Sequence, residues 1–163
     1  MNSDEIHILN VAFHLLHRNL FSYCSDVGVF NAYNPNDHAI KETCEGLFER
    51  MEELADRVVR VIGAAGKTPR LGGFEEAYTE WSFSSYGAML PRMLTELAAH
   101  GRRFKALAKE LADSSNKTLI DEAIELHVDG LSLLNGLRNG SCESVEMGEP
   151  EVSIKVSEAR SRA

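Results

Sequence analysis

The chain has 163 residues, 44% of them hydrophobic, enough for a single domain with a packed core. Its 17 Lys and Arg against 25 Asp and Glu give a net charge of −8, which repels nucleic-acid phosphates and is compatible with binding cations. No apolar run reaches the length of a membrane span, and Met1-Asn2-Ser3-Asp4-Glu5 has no signal-peptide character, so a cytoplasmic protein is expected.

In chain order, the first helix runs from about Asp4 to Asp26. Ile6, Leu9, Phe13, Leu16, Leu20 and Val27 recur at spacings of three and four, with one longer step at the end. They form a stripe that must meet a partner. Gly28 and Asn31-Ala32-Tyr33-Asn34-Pro35 end this helix. The second begins at Asn36 or Asp37, either of which can cap free N–H groups. Its core stripe is Cys44, Leu47, Met51, Leu54, Val58 and Ile62, and it stops at Gly63-Ala64-Ala65-Gly66 before Pro69. From Asp37 to Ile62 it would be about 39 Å long.

Phe74–Phe83 reads as a short crossing helix with Phe74, Ala77, Tyr78 and Trp81 on one face. The third long helix starts near Ser84 or Ser85, with Pro91 tolerated in or near its first turn. Leu90, Met93, Leu97, Phe104, Leu107 and Leu111 mark its buried side. The short turn Asp113-Ser114-Ser115-Asn116 makes the third and fourth helices antiparallel neighbours. The fourth runs from about Thr118 to Leu137, with Ile120, Ala123, Ile124, Leu131 and Leu134 apolar and Gly140 as its C-terminal cap. The fold class is all-α: a four-helix up-down bundle over residues 1–140, with a short crossing helix between helices two and three. Residues 141–163 form a polar tail interrupted by Pro150. Val152, Ile154 and Val156 alternate there as a short strand would, but a loose chain end is the ordinary reading.

Cys24, Cys44 and Cys142 are too few and too scattered for a disulfide framework or a zinc site. Glu42, Glu45, Glu49, Glu52 and Asp56 make an acidic stripe on helix two. It is either a solvated face, the ordinary case for an amphipathic helix, or the lining of a route for cations. His7, His14 and His17 share a face of helix one, but no neighbouring acid on that helix completes a metal set. Glu-x-x-His on two helices, the intrachain di-iron signature, is missing: Glu96 and His100 are four apart, Glu125 and His127 two apart. His127 interrupts an apolar stripe and reads as a hydrogen-bonded core histidine. Arg102, Arg103, Lys105 and Lys109 form a patch too small to carry DNA binding.

The order of elements and several strings together resemble the Dps-like branch of the ferritin superfamily. Leu9-Asn10 is similar to that family's opening. The string from Leu47 to Val58, Leu-Phe-Glu-Arg-Met-Glu-Glu-Leu-Ala-Asp-Arg-Val, is similar to its second-helix segment. Ile62-Gly63 followed by Pro69, the Phe74–Ser82 segment, and Met89-Leu90 with Leu94 and Leu97 fall in the expected order. The resemblance spans about residues 6 to 138.

It implies a homo-oligomer, a dodecamer built from two-fold dimers, that oxidises Fe(II) and stores the iron. Many such shells shield DNA, which the acidic balance here disfavours; no membrane is involved. The family's site lies between two subunits, one giving two histidines about twelve residues apart, the other an acid pair on helix two. The resemblance maps onto His38 and onto Glu52 and Asp56, with the two acid types exchanged and Glu53 as the alternative to Glu52. Asp26 stands twelve residues before His38, where the family has a histidine, and the family's His-Trp-Asn string is absent. Asp26, His38, Glu52 and Asp56 would suit non-haem iron, Fe(II), or Mn(II). Residues 38 and 52 are about 21 Å apart along one helix, so a shared ion needs two chains. The altered ligands leave a second expectation: a non-enzymatic bundle with a degenerate metal site, acting as an assembly or interaction module.

Overall fold

The computed structural model describes residues 1–26, 34–111 and 114–143, with side chains described as far as residue 139. The expected helix end at Gly28, the Asn31–Tyr33 segment, Val27, Asp113 and the tail beyond residue 143 lie outside them. The described residues are helical, with no strand among them. The long elements are α1 (Ser3–His17), α2 (Leu20–Asp26), α3 (His38–Ala64), α4 (Tyr86–Glu110) and α5 (Lys117–Glu143). No described helix is long and apolar enough to cross a membrane.

The predicted first helix is broken into α1 and α2. Asn19, 1% exposed, causes the break. Its amide donates to the carbonyls of Leu15 and Leu16, at 3.2 and 2.7 Å, and its side-chain oxygen accepts from the Ser22 N–H at 2.9 Å. One side chain thus ends one helix and starts the next, replacing backbone bonds with its own. The Leu20 N–H freed at the joint donates to Glu96 Oε1 at 2.7 Å.

The apolar stripes meet in one core. Leu9, Phe13, Leu16 and Leu20 pack with Cys44, Leu47, Met51, Leu54, Val58 and Ile62, with Leu90, Met93, Leu97, Phe104, Leu107 and Leu111, and with Ile120, Ala123 and Leu134. Every pair of rods that share a side is antiparallel. Against α1 and α2, α3 places Glu52 beside His17, and α4 places Glu96 beside Leu20 and Met89 beside Cys24. Against α5, α3 places Arg57 by Glu122 and Arg50 by Asp129. Gly130 of α5 packs on Leu47 and Leu97, and His127 lies against Phe104.

α3 and α4 run parallel across the diagonal. Asp37, just before α3, binds the Gly87 N–H in the first turn of α4, and about two turns further on Cys44 meets Met93. The expected strict up-down order is corrected: the chain runs up, down, down, up, with one long crossover between α3 and α4. Residues 65–85 make that crossover along α1 and α2. The Arg70 N–H donates to Asn10 at 2.7 Å, Arg18 Nε donates to the Gly72 carbonyl at 3.0 Å, and Tyr23 and Ser82 join through their hydroxyls at 2.8 Å. Gly72 lets the chain pass close to α1: a Cβ there would lie 2.6 Å from the His14 ring, which would have to shift.

The crossing segment is a 3-10 stretch, Glu76–Trp81, rather than an α-helix. Tyr78 is its buried anchor, Phe74 and Trp81 pack partly buried on the core, and Ala77 is exposed. Eclipsed i, i+3 spacing puts Tyr78 and Trp81, not Ala77, on the inner side. Two further expectations are corrected. Pro91 sits in the second turn of α4, on the exposed side, where its ring costs a helical bond without entering the core. Gly140 lies within α5, which continues to Glu143, so it is not the C-terminal cap.

Candidate functional site

The four residues singled out for a metal site fall in three places. Asp26 is the exposed last residue of α2. His38 opens α3, is exposed, and lies 3.2 Å through Nε2 from Glu42 Oε1 one turn along. Glu52 and Asp56 share a face of α3 one turn apart, about 21 Å along the helix from His38 in the case of Glu52. Among the described residues, no group of three or more His, Cys, Asp or Glu side chains is placed to hold a metal ion.

Glu52 has a partner that helix periodicity alone did not supply. Its Oε1 lies 2.7 Å from His17 Nδ1 on α1, with both side chains about a quarter to a third exposed. His17 is held in place by stacking on Phe13, with ring centroids 5.3 Å apart and planes 10° apart. The acid beside His17 comes from across the α1–α3 groove, and the pair does not complete a metal set among the described residues. An imidazole whose Nδ1 engages a carboxylate keeps Nε2 for another bond, which is how metal-ligating histidines are commonly oriented. Glu53 faces the other way, into the α3–α5 groove with Arg50, Arg57, Glu122 and Asp129. There Arg57 grips Glu122 with both terminal nitrogens, which lowers the Glu122 carboxyl.

The rest of the acidic stripe behaves as a solvated helix face. Glu42 pairs with His38, Glu45 with Lys41 at 3.6 Å, and Glu49 and Asp56 are exposed. Arg102, Arg103, Lys105 and Lys109 are all exposed on α4.

The interior holds a second polar group. Glu96 is 7% exposed; Oε1 accepts from the Leu20 N–H and Oε2 from the Tyr78 hydroxyl at 2.8 Å. Burial raises the Glu96 carboxyl, and these two donors partly oppose that rise. His100, one turn along, does not bond to it; its ring faces His127 of α5 with centroids 6.1 Å apart. Burial, and then His127, push His100 down to about 4. His127 donates from Nδ1 to the Ala123 carbonyl at 2.7 Å and is lowered by burial, while its Nε2 has no hydrogen-bond partner among the described residues.

No family model matches this chain, and neither a curated protein nor a solved structure matches it.

Proposed function

We propose that the chain is a ferritin-like four-helix bundle of the Dps-like kind that takes Fe(II) as substrate at a site shared by two copies. The observation that carries this reading is the His17–Glu52 contact at 2.7 Å, with Asp56 one turn further along the same face. Glu52, oriented by His17, and Asp56 are carboxylates that suit Fe(II), and because no third His, Cys, Asp or Glu among the described residues is placed with them, the remaining ligands must come from a second copy. His38 and Asp26 of a second copy are the remaining ligands of this reading, brought in across a two-fold contact. The single long crossover, which ferritin-like bundles share, supports the same reading. At the site, two Fe(II) each give up one electron and become Fe(III), while one dioxygen takes the two electrons and two protons to become hydrogen peroxide, or one peroxide takes them to become two waters; the carboxylates balance the added charge.

The second reading is the same bundle without the chemistry, acting as an assembly module. Two observations favour it: His38 is already paired with Glu42, and Glu52 with His17. The test is the rate of Fe(II) oxidation by the purified protein, with its mass measured by light scattering. His38→Ala and Asp56→Ala should each slow oxidation while the helical signal stays intact. Unchanged rates in both, or an 18.1 kDa particle, would leave the assembly or monomeric bundle without this chemistry.

A further inference from the structure

Two cysteines and two methionines from three helices meet in the core, beside the end of α2. Cys24 of α2 and Cys44 of α3 are 1% and 2% exposed, and Met89 and Met93 of α4 are fully buried. The Cys24 thiol donates to Met89 Sδ at 3.5 Å, and the Cys44 thiol donates to Met93 Sδ at 3.5 Å. The two methionines are four apart and so lie one above the other on one face. Each methionine carries its own cysteine, so the one-turn spacing of Met89 and Met93 sets the two Cys–Met pairs next to each other along α4. Around a tetrahedral ion with metal–sulfur bonds of about 2.3 Å, neighbouring sulfurs are about 3.8 Å apart. Both observed pairs are within a few tenths of an ångström of that spacing.

We propose that Cys24, Cys44, Met89 and Met93 form a buried site for a soft monovalent cation, Cu(I). The chemistry of the donors selects the ion. Thiolate and thioether sulfur favour Cu(I), whereas Fe(II), Mn(II) and Mg(II) call for the oxygen and imidazole ligands found at the α1–α3 groove. Charge selects it as well. One thiolate with Cu(I) is electrically neutral, so the apolar interior holds no net charge. A dication would need both thiols ionised in a core that opposes ionisation. Binding is a proton exchange without redox change: a thiol S–H bond breaks, a Cu–S bond forms, and the proton leaves to solvent. Methionine, with three rotatable bonds and a polarisable sulfur, is the side chain best able to adjust its sulfur to such an ion. This site rests on the sulfur geometry and is independent of the iron reading.

The test is an anaerobic Cu(I) titration of the full chain against a chromophoric Cu(I) chelator. A Cys142→Ser background removes the third thiol. That background should hold Cu(I), release protons as it does so, and gain thermal stability on loading. Cys24→Ser with Cys44→Ser, and separately Met89→Leu with Met93→Leu, should each weaken retention at least about tenfold, the scale on which removing metal-site groups acts. The leucine pair keeps the thiols and nearly the same volume, so it decides the matter if the serine pair fails to fold. Loss of Cu(I) on Cys142→Ser alone, failure of the background to compete with the chelator, or undiminished retention in the leucine pair would each overturn the proposal.

Discussion

Asp37 caps not the helix it precedes but the one that starts beside it: its Oδ2 accepts from the Gly87 N–H at 2.8 Å, while no side-chain bond reaches back into α3. Asp37 is 8% exposed, and Asn34 Nδ2 donates to its other oxygen at 3.1 Å. A carboxylate at a helix N-terminus satisfies an otherwise unpaired N–H and meets the positive end of the helix dipole. The contact fixes the starts of α3 and α4 side by side, and so fixes the parallel diagonal and the need for a crossover. Asp37→Ala should cost about 0.5–2 kcal/mol, and Asp37→Asn much less, in urea unfolding. Gly87→Ala should also destabilise, because its Cβ would lie 2.6 Å from Asp37 Oδ1. That cost should shrink in an Asp37→Ala background. Equal costs in both backgrounds would show that the two residues do not act on one another.

Glu96 joins the α1–α2 break, the crossover and α4 through two hydrogen bonds. Glu96→Ala leaves the Leu20 N–H and the Tyr78 hydroxyl without acceptors, at about 1–3 kcal/mol each. Glu96→Gln keeps an oxygen for Leu20 and an amide for Tyr78, and should cost far less. The raised Glu96 carboxyl also sets a sign. The folded chain holds this proton more tightly than the unfolded chain. The stabilisation is therefore full below the ordinary carboxylate range and is lost as the pH rises through the raised folded value. Glu96→Gln should remove that segment of the pH dependence; a stability–pH curve identical to wild type would contradict the assignment.

The paired imidazoles of His100 and His127 act in the opposite direction. Both are lowered, chiefly by burial. The unfolded chain takes up their protons near 6.5 while the folded chain resists until about 4 for His100. Stability should be full above 6.5 and fall as the pH drops toward 4, by up to about 3 kcal/mol for His100. His127→Leu should flatten the fall, which urea midpoints at pH 7.5 and 5 would show. A fall as steep as in wild type would mean that other groups carry the acid sensitivity.

The helices were legible because each apolar stripe repeats at helical spacing: Leu9, Phe13, Leu16 and Leu20, or Leu97, Phe104 and Leu107, are buried as expected. What periodicity does not encode is where a polar side chain goes. Asn19 looked like an ordinary position on a long helix, and only its bonds to Leu15, Leu16 and Ser22 break it. Asp37 looked like the cap of its own helix. Glu96 lay on the counted spacing to His100, yet its partners come from α2 and the crossover. The same limit hid the partner of Glu52. Helical spacing put Glu52 with Asp56 and put His17 with His14, but it carries no information about which faces meet across α1 and α3. His38 and Asp26, proposed as the other half of the site, lie apart from that pair, and only a second copy can unite them.

Fe(II) binding by Glu52 and Asp56, with His17 orienting Glu52, is tested most directly by an anaerobic Fe(II) titration by calorimetry, because it reads binding without oxidation. Wild-type protein should show saturable Fe(II) uptake. Glu52→Ala and Asp56→Ala should each weaken it about tenfold to a hundredfold, while Glu53→Ala, which alters the α3–α5 groove, leaves it unchanged. Fe(II) uptake that is absent in the wild type, or equal in wild type, Glu52→Ala and Asp56→Ala, would contradict the account.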